Sequence, residues 1–155
     1  MDAYAAVKTL HILSATVLFG TGLGIAYFFW MGGRSGDDRA TLFAARATVT
    51  ADFLFTLTAV VVQPLTGVWL IWRGGFNPLD HWLVLTYALY LLAGACWVPV
   101  VFIQMRVRDQ LQGKLAGGEF DEARHRRLRR IWFWLGWPAF LSLIVVFHLM
   151  VTKPS

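Results

Sequence analysis

Four apolar stretches, each close to or above bilayer length, constrain this sequence more than any other feature. They run from about Tyr4 to Met31, Thr48 to Trp72, His81 to Met105 and Ile131 to Val151. Roughly 20 apolar residues cross the hydrocarbon layer as a helix, and only helices or closed barrels satisfy their backbone groups there. The chain has 155 residues and is 57% hydrophobic but only 15% charged. A soluble domain of that size has too little interior for so much apolar surface. The expectation is one all-α membrane domain over residues 1–155, a bundle of four transmembrane helices. The amino-terminal run lacks the basic start and cleavage site of a signal peptide and reads as a permanent span. Cys96 stands alone inside an apolar run, so no disulfide framework is expected.

Lysine and arginine give the expected orientation. Eleven of the 14 basic residues, Arg34, Arg39, Arg46, Arg106, Arg108, Lys114, Arg124, Arg126, Arg127, Arg129 and Arg130, fall between spans one and two or in the link 106–130. The other side holds Lys8, Arg73 and Lys153. The link is therefore expected to be cytoplasmic, with both termini on the non-cytoplasmic side. A basic run abutting a span reads as a stop signal against anionic lipid, not as a nucleic-acid patch. Trp30, Trp72, Trp82, Trp132 and Trp134 lie near span ends, as interfacial aromatics do. Trp97 and Trp137 lie deeper and are expected to pack.

Ionisable groups inside spans are costly and are functional candidates by default. His11, His148, Gln63 and His81 fall in one outer layer under this topology, with Lys8 one turn before His11 on the same face. Imidazoles from two helices at one depth are a recurrent way to hold heme iron or another metal. His11 and His148 are the expected ligands, with Gln63, Ser14 or a main-chain carbonyl fixing the ring. His81 borders a loop, and His125 sits in the arginine-rich link, where solvent is expected to surround it. Asp52, Thr56 and Gln63 are expected on one face of the second span, and Tyr90, Trp97 and Gln104 on one face of the third. Asp52 reads as a proton carrier, a catalytic group or the partner of Arg46; the Thr56 and Gln104 faces read as satisfied bundle lining. Gly20 and Gly24 form a GxxxG pair expected at a close helix contact. Pro64, Pro99 and Pro138 imply kinks whose freed carbonyls need partners or line a cavity. No GxSxG, HExxH, phosphate-cradling glycine loop or cysteine cluster is present.

The opening Val7-Lys8-Thr9-Leu10-His11-Ile12, with Gln63-Pro64-Leu65-Thr66-Gly67 and the basic link, resembles HemJ-type protoporphyrinogen oxidases. Across nearly its whole length the chain also looks like small uncharacterised bacterial integral membrane proteins of four helices. The first resemblance implies heme b held by His11. It does not extend to that family's third-helix lysine, for which Leu85-Thr86-Tyr87-Ala88 offers no counterpart. Together the two imply a multi-pass protein of the bacterial inner membrane.

The expected function is a heme-b-binding membrane protein with a redox or electron-transfer role, an oxidoreductase working with a quinone or porphyrin. His11 and His148 are the metal ligands, Gln63 contacts the cofactor, and Lys8, with Asp52 a catalytic candidate, neutralises a propionate or an anionic substrate. The alternative is a non-enzymatic subunit or assembly factor of a larger membrane complex or homo-oligomer. A transporter using Asp52 ranks third. No nucleic-acid partner is expected.

Overall fold

The computed structural model describes residues 2–154. Its helices are α1 (Ala3–Gly32), α2 (Asp38–Ala51), a π-helical turn (Asp52–Thr56), α3 (Leu57–Gly74), α4 (His81–Leu115) and α5 (Glu122–Thr152). Because α2, the π turn and α3 form one continuous rod, four helices are long and apolar enough to cross a membrane. Among the described residues there is no strand. Aspartate side chains accept from the first exposed amides at three starts: Asp2 from Tyr4, Asp37 from Arg39 and Asp121 from Arg124.

The helices exceed the apolar runs at the arginine-rich end. The second rod starts at Asp38, not near Thr48, and the stretch expected as a link over 106–130 is mostly helix. Ile103, Val107 and Leu111 recur every four residues and are all buried, so α4 keeps an inward stripe after its apolar run ends. That stripe meets Leu42 and Ala45 of α2, Phe29 of α1 and Trp132 of α5 in one core cluster. Trp132 is thus an interior residue and not an interfacial one. His125 is buried as well, contrary to expectation: its Nδ1 lies 3.3 Å from Gln110 Oε1 and its ring 5.2 Å from that of Phe120. Two of the basic residues at the arginine end are structural: Arg129 Nη1 donates to the Gly33 carbonyl at 2.8 Å, and Lys114 Nζ lies 2.6 Å from Asp38 Oδ2.

A second, smaller cluster of Trp82, Leu83 and Leu149 closes the other end, with Lys153 Nζ 4.5 Å from the Phe76 ring centre. Between the two clusters the packing loosens. The backbones of α1 and α3, α1 and α2, α2 and α4, and α4 and α5 approach closely, whereas α3 and α4, and α1 and α5, do not. Long side chains bridge these wider gaps. Phe19 of α1 packs edge-on against Phe140 and Phe147 of α5, and Tyr90 of α4 reaches α3.

The expected GxxxG contact is not where the helices meet. A methyl group built at Gly20 or Gly24 faces open space, whereas at Gly32 it lands 2.6 Å from the Ala44 Cβ. The glycine that permits close approach is the last residue of α1, where the chain turns back into α2.

Candidate functional site

Two polar sites lie within the spans, on different faces of the second rod. The first surrounds His11, which is half-buried on α1. Its Nδ1 is 2.7 Å from Thr66 Oγ1. Thr66 has one hydroxyl proton, which it donates to the Val62 carbonyl at 2.7 Å. With that proton on the Val62 carbonyl, the oxygen accepts from Nδ1–H of His11, the tautomer in which Nε2 carries the bare lone pair. Gln63 donates from Nε2 to the His11 main-chain carbonyl at 3.1 Å, and Gly67 lies beside the ring, where a methyl would make ordinary contact 3.5 Å from His11 Cε1.

Thr66, rather than Gln63 or Ser14, is the residue that orients the imidazole. It was visible in the Gln-Pro-Leu-Thr-Gly run, but its role needed the register of α3 against α1. His148 and His81 are exposed, as is Lys8, and none of their side chains hydrogen-bonds to the His11 ring. The expected outer layer thus reduces, in contacts, to His11 with Gln63 and Thr66. Among the described residues no three His, Cys, Asp or Glu side chains group as a metal centre.

The second site centres on Asp52, only 2% exposed. Trp97 Nε1 donates to its Oδ1 at 3.1 Å. With the Gln104 amide turned so that donors meet acceptors, its nitrogen donates to Asp52 Oδ2 at 2.6 Å and its oxygen accepts from Trp132 Nε1 at 3.2 Å. The chain Trp97–Asp52–Gln104–Trp132 joins three of the four rods. Tyr90, Trp97 and Gln104 share one face as their spacing predicts, and all line a cavity of about 120 Å³ beside Asp52. The Tyr90 hydroxyl donates at 2.8 Å to the Val60 carbonyl, the one left without its helical amide partner by Pro64. Arg46 is exposed and is not the carboxylate's partner.

Asp52 and Gln63 were expected on one face and are not. The π turn, in which Leu57 N–H bonds to the Asp52 carbonyl five residues back, inserts one extra residue into the rod. One residue rotates a helix by about 100°. Asp52 and Thr56 consequently face the cavity, while Gln63 and Thr66 face His11. The turn also frees a side chain. Thr9, Thr16, Thr58, Thr66 and Thr86 each donate to the carbonyl four residues back. Thr56, buried and lining the cavity, does not; its hydroxyl stands beside the Asp52 carboxylate, as a residue lining the bundle was expected to. Trp137, expected to pack inside, is 52% exposed on the apolar surface of the bundle.

Neither the curated proteins nor the solved structures contain a match to the chain. Residues 5–154 match the family model of a predicted integral membrane protein, DUF2269. With four membrane-length apolar helices and a match over nearly its entire length, the chain belongs to the DUF2269 family of integral membrane proteins.

Proposed function

We propose that this protein binds heme b through His11 and serves redox chemistry or electron transfer in the bacterial inner membrane. The observation that carries the proposal is the hydrogen bond from His11 Nδ1 to Thr66, which leaves Nε2 available. A heme ligand must be a neutral imidazole with one bare nitrogen, oriented by a hydrogen bond through the other. His11 meets each condition. The proposal rests on His11 as the protein ligand, His148 being exposed and joined to it by no hydrogen bond. Lys8, three residues earlier on α1, offers its charge to a propionate. Bound heme would supply a one-electron redox centre. The Lys-x-x-His likeness to HemJ-type proteins supports the reading, and the basic residues at the α1–α2 and α4–α5 turns support placing both termini outside.

The test is an absorption spectrum of protein purified from heme-replete cells, oxidised and reduced. A Soret band is expected in the wild type and none in His11→Ala. Thr66→Val, which removes the orienting oxygen but keeps the volume, is expected to weaken heme retention by about 10- to 100-fold. His125→Ala is expected to retain the band. A colourless wild-type preparation overturns the reading.

A further inference from the structure

A cavity of about 510 Å³ opens at the arginine end and includes neither His11 nor Asp52. It is bounded by the α1–α2 turn at Gly33 and Gly36, the start of α2 at Asp38, the end of α4 at Lys114 and the first turns of α5. Its volume falls in the ~300–1,000 Å³ range of small-ligand sites.

Five arginines crowd the run from Arg124 to Arg130, and as a sequence they read as diffuse charge against lipid. The helix sorts them. Arg126, Arg129 and Arg130, spaced i, i+3 and i+4, share one face and line the cavity, whereas Arg124 and Arg127 do not. The cavity's four cations and two carboxylates are unevenly matched. Lys114 pairs with Asp38 at 2.6 Å and Arg126 with Glu122 at 3.2 Å. Arg129 and Arg130 form no ion pair among the described residues.

Arg129 is the more telling of the two. It is half-buried, and its guanidinium is held in place: Nη1 donates to the Gly33 carbonyl at 2.8 Å, and the group stands 6.0 Å from the Phe29 ring centre. Glycine at 33 makes this possible, since a methyl there would overlap the guanidinium. A guanidinium carries five N–H donors, and here one of them has a protein acceptor. Charges drawn out of water are normally paired, and this one lacks its anion.

The fork of an arginine matches a phosphate, two N–H groups to two oxygens. Position names the source of that phosphate. The exposed Trp30 and Phe133 stand in the cavity wall where the apolar spans begin, and interfacial aromatics lie at headgroup depth. A phospholipid can place its phosphate in the cavity and run its chains along the apolar faces of α1 and α5. A soluble phosphate gains nothing from those faces. Basic pockets between membrane helices are recurrent sites for anionic headgroups.

We propose that this cavity binds the headgroup of an anionic phospholipid, its phosphate held by Arg129 and Arg130.

The experiment is native mass spectrometry of the full-length protein in an uncharged detergent, with equimolar phosphatidylglycerol and phosphatidylcholine of the same chains. One phosphatidylglycerol per protein is expected, favoured by about 25-fold, or about fivefold for each arginine. Arg129→Gln/Arg130→Gln is expected to bring the ratio near one. Arg124→Gln/Arg127→Gln removes the same charge from the same run but outside the cavity, and is expected to leave the ratio unchanged. Because Arg129→Gln also gives up the bond to Gly33, Arg130→Gln alone, at an exposed side chain, serves as a second measure. There the preference is expected to fall about fivefold. An equal loss in the Arg124/Arg127 pair would be the mark of diffuse charge and overturns the proposal. So does a wild type without preference, and so does an unchanged ratio in Arg130→Gln. Glycerol 1-phosphate at the lipid's concentration is expected not to displace it; displacement would assign the cavity to a soluble phosphate instead. None of these readouts depends on heme, so the site stands or falls apart from the one at His11.

Discussion

Asp52→Ala is expected to destabilise the bundle by about 2–4 kcal/mol. The substitution removes the acceptor shared by Trp97 Nε1 and the Gln104 amide, and through Gln104 it loosens Trp132. An orphaned buried donor costs about 1–3 kcal/mol in soluble proteins. Hydrogen bonds between membrane helices average nearer ~0.6 kcal/mol, because the unfolded helices find other partners in the bilayer. Two orphaned donors in the least solvated part of the bundle place the sum between these limits. Asp52→Asn keeps an acceptor for Trp97 and is expected to cost about 1 kcal/mol. Reversible unfolding in mixed micelles, followed by circular dichroism, measures both. A loss for Asp52→Ala no larger than for Asp52→Asn would show that the carboxylate is not the anchor of the network.

Gly32→Ala is expected to cost about 1–3 kcal/mol, the usual penalty for forcing a methyl into a packed contact. The new Cβ would lie 2.6 Å from the Ala44 Cβ, and neither atom can rotate away, so α1 and α2 must separate. That movement also strains the bond from Thr41 Oγ1 to the Gly32 carbonyl, 2.8 Å long. The partner substitution Ala44→Gly removes the collision. The double variant is therefore expected to recover most of the loss, less the helix-propensity cost of a mid-helix glycine, about 1 kcal/mol. Additive losses in the double-mutant cycle would mean that the two residues do not share the contact. A glycine at the next position, Gly33, behaves differently. A methyl there overlaps the Arg129 guanidinium, the movable end of a long side chain, so the expected loss is mainly the Arg129–Gly33 hydrogen bond.

The four helices were legible because span length and apolar composition leave few alternatives. Their ends were not, because α4 and α5 continue on one-sided apolar stripes after hydropathy falls: Val107, Leu111 and Leu128 are too sparse to signal a span but sufficient to pack a helix. His11 lies half-buried within its span and hydrogen-bonds across to α3, while His125, expected in solvent, is the more buried of the two. The partner of His11 was missed because an ordinary threonine carries no signal until helix register is known. The face containing Tyr90, Trp97 and Gln104 followed from seven-residue spacing, which holds along an uninterrupted helix. The same reasoning failed for Asp52 and Gln63, since nothing in Asp52-Phe-Leu-Phe-Thr56 announces an extra residue within the turn. His125 was misjudged by its neighbours in sequence: four arginines surround it within a few positions, yet its own face of α5 turns toward Gln110 and Phe120.

The π turn has a consequence on the scale of descent. Its extra residue amounts to a one-position insertion within a membrane helix, and the two polar sites owe their separation to it. A relative lacking that insertion would carry Asp52 and the His11 partners on a single side of the rod.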